Sequence, residues 1–252
     1  GYFTYIPRRS LMIKVHSYES MGTYDGPGLR LVVFLQGCPF RCLYCANPDT
    51  IPFEGGTPTE PDHVIQMAVN QKPFFGRRGG VTFSGGEPTA QAKELIPLVK
   101  GLHDEGINVC IDTNGGIWNS SVEELFMLTD LVLLDIKQMN PERHENLTGR
   151  SNAQTLQTAQ WLEENGKPFW LRYVLVPGIS SFEEDIRMLG EHFKNYKMLQ
   201  RVEILPYHTL GVHKYETLGQ EYKLKDTRTN TPEELEKALA LFKEYFDCAV
   251  MN

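Results

Sequence analysis

The sequence predicts an α/β fold: a partial (β/α)6 barrel of the TIM-like kind, with a parallel sheet and a single domain. Three observations carry that prediction. Short β-branched apolar runs alternate with helical periodicity six times along the 252 residues. No linker, low-complexity stretch or shift of composition divides them. Almost every unusual polar group follows the C-terminal end of a predicted strand, the rim where parallel α/β folds build their sites. Six units favour an open or partial barrel over a closed eight-stranded one, and a doubly wound open sheet is the alternative.

Each element has its own signal. Leu29 to Leu35 is apolar, β-branched and aromatic, and ends at Gly37 as a buried strand would. Thr59 is placed to cap a helix with Pro61 in its first turn and Ile65, Ala68 and Val69 inward. Gly80 to Ser84 is the second strand. A helix follows with Leu95, Leu98, Val99 and Leu102 on one stripe, Pro97 as an expected kink and Gly106 as its stop. Ile107 to Ile111 is the third strand. Ser120 or Ser121 is expected to cap the next helix, which turns Val122, Leu125 and Phe126 inward. Leu131 to Leu134 is the fourth strand, and a helix around Leu156, Ala159 and Leu162 stops at Gly166. Phe169 to Val176 is the fifth strand. Ser181 and Glu184 have capping-box spacing before Ile186, Leu189 and Phe193. Val202 to Leu205 is the sixth strand. Thr231, Pro232 and Glu234 open a last helix bearing Leu235, Leu239, Phe242 and Phe246.

Composition excludes several classes. The apolar share of 41% and charged share of 23% are those of an ordinary globular protein. A net charge of −7 with interspersed signs argues against nonspecific nucleic-acid binding. No apolar run is long enough to span a membrane, and Gly1 to Ser10 lacks a secretory core. Gly1 is not an initiating methionine, so residues 1–12 read as an N-terminal extension or an appended remnant, and residues 13–252 as the domain. Five cysteines with three of them clustered do not suit a disulfide framework, which points to the reducing cytoplasm. Cys110 and Cys248 stand alone in apolar surroundings and read as small buried hydrophobes.

The chemistry concentrates at Cys38, Cys42 and Cys45, spaced C-x3-C-x2-C after the first strand. A structural zinc takes four protein ligands. Three thiolates without a fourth suit a [4Fe–4S] cluster whose open iron is left for a substrate. A zinc knuckle with a distant fourth ligand, or three buried thiols, are the alternatives. Gly85-Gly86-Glu87 follows the second strand, either as a tight turn or as bare backbone that a polar ligand approaches closely. Asp112 and Asp135 end the third and fourth strands. They either cap helices or together hold a cation or an amino group. Lys137 is a solvated lysine or the counter-charge of a carboxylate ligand. Arg172, inside an apolar strand, needs a partner if it points inward. His208 follows the sixth strand, as a structural histidine or a ligand contact, and His213 reads as a surface residue. Asp25-Gly26-Pro27-Gly28 is a turn, or a rim loop that grips an extended peptide.

At Cys38, Cys42 and Cys45 the sequence resembles the radical S-adenosylmethionine (SAM) superfamily, and Gly85-Gly86-Glu87 matches that family's motif after the second strand. The resemblance narrows at Tyr24 to Arg30, Asp112 to Gly115, Leu134 to Asn140 and Leu205 to His208, which look like the pyruvate formate-lyase-activating family. It covers nearly the whole chain from about Ile13. Residues 47–80 hold no cysteine, unlike the relatives that carry a ferredoxin-like insert there. The chain departs from the pattern at Ala46, where several relatives have histidine.

The resemblance implies a set of roles. The three cysteines would hold the cluster. Tyr44, Cys45, Ala46, Gly85, Gly86, Glu87, Asp135, Ile136, Lys137, Arg172 and His208 would bind SAM. Asp112, Thr113 and Asp135, with the Leu133 carbonyl, would hold a monovalent cation, Na+ or K+, against the SAM carboxylate. Asp25, Gly26, Pro27 and Gly28 would meet the glycyl loop of pyruvate formate-lyase, the protein substrate. Reductive cleavage of SAM at the cluster would give methionine and a 5′-deoxyadenosyl radical, which takes a hydrogen atom from a backbone glycine of the partner. Flavodoxin or ferredoxin is expected as the electron donor, since the chain has no second cluster motif, and the protein as a monomer. An activase for another glycyl radical enzyme, a radical SAM enzyme acting on a small molecule, and a zinc module are the rival functions.

Overall fold

A computed structural model describes residues 12–252; the expected extension at residues 1–12 lies, but for its last residue, outside them. In chain order, β1 (Ile13–Gly22) is followed by β2 (Arg30–Leu35), the cysteine loop and β3 (Thr57–Thr59). Then come α1 (Pro61–Phe75), β4 (Gly80–Gly85), α2 (Ala92–Asp104), β5 (Asn108–Thr113), α3 (Ser120–Leu128) and β6 (Leu131–Asp135). Two helices, α4 (Pro141–Thr148) and α5 (Ala153–Glu164), precede β7 (Phe169–Leu175), α6 (Glu183–Phe193) and β8 (Leu199–Pro206). The described chain finishes with α7 (Val212–Thr217), α8 (Pro232–Lys243) and β9 (Ala249–Met251).

The described strands form one sheet in the order β3-β1-β2-β4-β5-β6-β7-β8-β9. From β2 to β9 every pairing is parallel, while β1 runs antiparallel to both its neighbours. The sheet does not close on itself, so the barrel is partial, as expected, and the domain is single. The six predicted strands are β2, β4, β5, β6, β7 and β8. Successive residues along them point to opposite faces. Leu31, Val33, Val81, Phe83, Val132, Leu134, Leu171 and Tyr173 turn outward and join helix residues such as Leu98, Phe126, Leu189 and Phe242 in one buried core. The residues between them turn into the barrel, and many are polar: Thr82, Ser84, Asp112, Arg172 and Glu203.

Several expected caps are corrected. Thr59 ends β3 with its hydroxyl on the Thr57 carbonyl, and Glu60 begins α1 without a side-chain cap. Asn119, not Ser120 or Ser121, caps α3 by accepting from the Val122 N–H at 2.9 Å. α6 starts after Ser181, whose hydroxyl instead accepts from the Gly178 N–H, and Glu184 pairs with Arg143 at 2.8 Å. Pro97 sits inside α2, which is one helix to Asp104. The Thr231–Glu234 capping box forms as expected.

Arg30 closes the barrel floor. It is fully buried and has no carboxylate partner within ion-pair distance among the described residues. Its five N–H groups are instead spent on neutral acceptors. Nε donates to Thr82 Oγ1 at 2.7 Å, Nη1 to the Pro27 and Arg78 carbonyls, and Nη2 to the Val81 carbonyl and Asn108 Oδ1. Thr82 passes the connection on by donating to the Asp25 carbonyl at 2.6 Å.

Candidate active site

The cysteine loop leaves β2 through Gly37, whose φ of 102° is a conformation that favours glycine. Its backbone is then held from three sides. Gly37 and Cys38 N–H groups donate to the Thr50 and Ile51 carbonyls at 2.7 and 3.0 Å. The Arg41 and Leu43 N–H groups donate to the Thr148 and Leu147 carbonyls at 2.8 and 3.0 Å. Those carbonyls belong to the last turn of α4, where helix acceptors have no partner of their own. From the α7 side, Tyr215 Oη donates to the Cys45 carbonyl at 2.7 Å and Lys214 Nζ to Asn47 Oδ1 at 2.8 Å. Gly211 packs against Ala46 so closely that a Cβ there would lie 2.3 Å from the Ala46 carbonyl.

All three thiols line one cavity of about 720 Å3, within the range of small-molecule sites. Burial pushes Cys38 and Cys42 up to about 12, and raises Cys45 as well, so a bound metal must displace their protons. Asn114 Nδ2 approaches Cys38 Sγ at 3.7 Å. Among the described residues, no three His, Cys, Asp or Glu side chains converge on a single ion. Three free thiols on one loop, facing one cavity, are a donor set that suits a [4Fe–4S] cluster, in which each thiolate takes its own iron.

The next wall is Gly85-Gly86-Glu87. A Cβ on Gly86 would lie 2.3 Å from the Gly37 carbonyl, so glycine is what lets the two strand ends meet. Glu87 is buried, and both its carboxylate oxygens are engaged. They accept from the Thr89 N–H at 2.9 Å, the Thr113 hydroxyl at 2.8 Å and the Asn114 N–H at 2.7 Å, and from the Thr89 hydroxyl. Burial raises its pKa and these donors oppose the rise. The side chain thus ties the β4 and β5 loops together at the cavity wall.

The third wall carries paired charges. Lys137 Nζ lies 3.2 Å from Asp135 and 5.7 Å from the Tyr44 ring centre. Burial would lower the Lys137 pKa, but Asp135, Tyr44, Cys42 and Asp112 together raise it well above the usual lysine value. Arg172 is 8% exposed and reaches Asp25 and Asp112 at 3.4 Å each and Glu203 at 3.8 Å. Asp112 is raised well above the carboxylate range by burial and by Asp135, with Arg172 opposing. Its Oδ2 takes the Ser84 hydroxyl at 2.8 Å, while Oδ1 is buried without a hydrogen-bond partner. A buried carboxylate oxygen left bare is where a cation fits.

Of the residues expected at the site, the structure brings Cys38, Cys42, Tyr44, Cys45, Ala46, Gly85, Gly86, Glu87, Asp112, Asp135, Lys137, Arg172, His208 and Asp25 to this one cavity. Ile136 is buried in the outer core, and its N–H donates to the Arg172 carbonyl at 3.0 Å. Thr113 spends its hydroxyl on Glu87 and the Gly115 N–H. Leu133 is fully buried, with its backbone opposite Asp112 in the β5–β6 register. Gly26, Pro27 and Gly28 run along the barrel floor and not the rim, because β1 delivers the loop at the N-terminal end of β2, where Gly22 pairs with Arg30. Only Tyr24 and Asp25 of that segment reach the cavity. Tyr24, Glu203, Lys214 and Tyr215 join the site without a motif of their own, and the sequence marks only Glu203, as a charge alternating with apolar residues in a strand.

Comparison with known proteins agrees with this geometry. The family model of the radical SAM superfamily matches residues 32–189. The pyruvate formate-lyase 1-activating enzyme of Escherichia coli K12 is 41% identical over 239 residues, 94% of this chain and 97% of that one. The pyruvate formate-lyase-activating enzyme of Streptococcus mutans is 45% identical, covering 90% of this chain and 89% of its own. The crystal structure of Streptococcus suis SuiB bound to precursor peptide SuiA shares the fold, with a TM-score of 0.69 at 18% identity over 89% of this chain and 49% of that one.

Proposed function

The chain belongs to the radical SAM superfamily and, within it, to the pyruvate formate-lyase-activating enzymes, and from that premise we propose how its residues divide the work. The protein is an oxidoreductase that activates pyruvate formate-lyase by placing a radical on a backbone glycine. The single observation that carries this reading is one cavity bounded by the three thiols, the Gly85–Gly86 backbone, the Asp135–Lys137 pair and the Arg172–Asp25 pair. A [4Fe–4S] cluster and SAM, when bound, supply the one-electron cleavage that generates the 5′-deoxyadenosyl radical.

The chain itself supplies position and dryness. Cys38, Cys42 and Cys45 would hold three irons and leave the fourth for SAM. Lys137 and Arg172 are cations buried beside acids, and Gly86 offers backbone where a side chain would collide. With Tyr44, Ala46 and His208 they make a lining suited to a zwitterionic cofactor. A carbon radical reacts with almost any C–H bond, so fixed walls matter more here than a general acid or base. This reading takes its electron from an external carrier of the flavodoxin or ferredoxin kind, the described cysteines outside the loop being the separate Cys110 and Cys248.

The bare Asp112 Oδ1 supports a monovalent cation held with Thr113, Asp135 and the Leu133 carbonyl. Exchanging Na+ and K+ for a bulky organic cation is expected to weaken SAM binding about tenfold, roughly 1.4 kcal/mol, in calorimetric titration. Asp112→Asn is expected to remove that ion dependence. Binding that ignores the ion in both proteins counts against the cation.

Asp25 supports the substrate assignment. It lies 18% exposed at the cavity floor, held by Arg172 and by the Thr82–Arg30 connection. Asp25→Asn is expected to lower glycyl radical formation at least about tenfold while uncoupled SAM cleavage stays within about twofold. Equal losses in both assays would assign Asp25 to SAM and not to the protein substrate.

A further inference from the structure

A recess of about 180 Å3 lies against the cysteine loop, lined by Arg41, Leu43, Tyr215, Glu221 and Lys223 among others. It shares Cys42 and Ile51 with the main cavity. The loop is therefore the wall between the two, and Cys42 separates the reaction chamber from this outer surface. Tyr215 lies buried beneath the recess, donates to the Cys45 carbonyl at 2.7 Å and packs on Tyr222 with ring centres 5.0 Å apart.

The surface around the recess runs against the chain's net charge of −7. Arg41, Arg150, Lys223 and Lys225 are all exposed. Arg150 Nε reaches the Pro39 carbonyl at 3.3 Å, which puts it beside the loop. Glu221, the one acid of the lining, pairs with Lys223 at 3.1 Å and Lys225 at 3.6 Å, and the exposed Glu216 and Asp226 lie near it in sequence, so the positive character of the face rests on Arg41 and Arg150, which have no acidic partner among the described residues. The proposed reaction consumes electrons, and the remaining described cysteines offer no relay: Cys110 is buried and Cys248 stands alone. The electron must come from outside, while SAM and the protein substrate occupy the main cavity.

We propose that this basic face docks a small acidic one-electron carrier protein, placing its redox group against the outer side of Cys42. The inference rests on the function proposed above and adds to it the place where the carrier binds. One electron leaves the carrier and is taken up on the cysteine-bound cluster, and no bond is made or broken at the face. Contacts of this kind are small, transient and steered by charge, so their affinity falls with salt.

The test uses the cluster-loaded protein and an acidic flavodoxin as the probe, with binding titrated at low and high ionic strength. The double variant Arg41→Glu, Lys223→Glu is expected to bind at least about tenfold more weakly, with a shallower salt dependence. Lys237→Glu, an exposed change on α8, is expected to bind as the parent does. With dithionite as the reductant, glycyl radical formation in all three proteins is expected to be equal, which shows that the site is intact. Unchanged affinity and salt slope in the double variant, or an equal loss from Lys237→Glu, would overturn the docking face. A parent protein that takes up no cluster, or that dithionite cannot drive, would overturn the underlying function instead.

Discussion

Cys38→Ser, Cys42→Ser and Cys45→Ser are each expected to lose SAM cleavage to background while the chain stays folded. A hydroxyl is a poor iron ligand beside a thiolate, and in the proposed cluster each cysteine would hold its own iron. The loop's shape does not depend on the sulfurs. The Thr50, Ile51, Thr148 and Leu147 carbonyls and the Tyr215 hydroxyl hold its backbone. Iron content, SAM turnover and far-ultraviolet circular dichroism on the three variants check this. A variant that keeps its turnover would remove that cysteine from the cluster.

Arg30→Met is expected to cost about 3–5 kcal/mol of stability. Methionine fills much of the space but donates nothing. The Pro27, Arg78 and Val81 carbonyls, Asn108 Oδ1 and Thr82 Oγ1 would all lose a buried donor. The same change frees the Asp25 segment, because Pro27 and, through Thr82, Asp25 are anchored there. Urea unfolding should show the lost stability, and the residual folded protein should cleave SAM better than it activates its partner. A loss under 1 kcal/mol would mean that the barrel floor rearranges at little cost.

The six central strands and their helices were legible because each carries its own period. β2, β4 and β7 read from residues such as Val33, Phe83 and Leu171 alone. β3 and β9 are three residues each, too short to show a period, and exist through their neighbours. β1 has exposed and buried residues out of strict alternation, with a register shift between Val15 and Ser17, so its pattern gives no clean signal. α4 has a cap at Asn140, Pro141 at its start and Gly149 at its end, but only Leu147 as an apolar residue. Its importance lies in the carbonyls it lends to the cysteine loop, which no side-chain pattern reports.

At the site, reactive residue types at strand ends were legible, and what each side chain touches was not. Glu87 reads as a ligand contact from its motif, yet its oxygens are spent on Thr89, Thr113 and Asn114. Ile136 follows Asp135 in sequence but turns into the outer core. Of the polar row inside the barrel, Asp112 and Arg172 stood out in the sequence, whereas Thr82, Ser84 and Glu203 and the contacts among all five required the register. The floor position of the Asp25 segment depends on β1, so missing that strand misplaced the loop.

Electron paramagnetic resonance on an anaerobic mixture of the cluster-loaded, reduced protein with SAM and pyruvate formate-lyase reads the proposed activation itself. A glycyl radical is expected on the partner, with one SAM consumed for each radical formed. SAM cleavage that continues without a radical on the partner would contradict the assignment of the protein substrate. A protein that gives no reduced iron–sulfur signal and holds zinc instead would contradict the chemistry altogether.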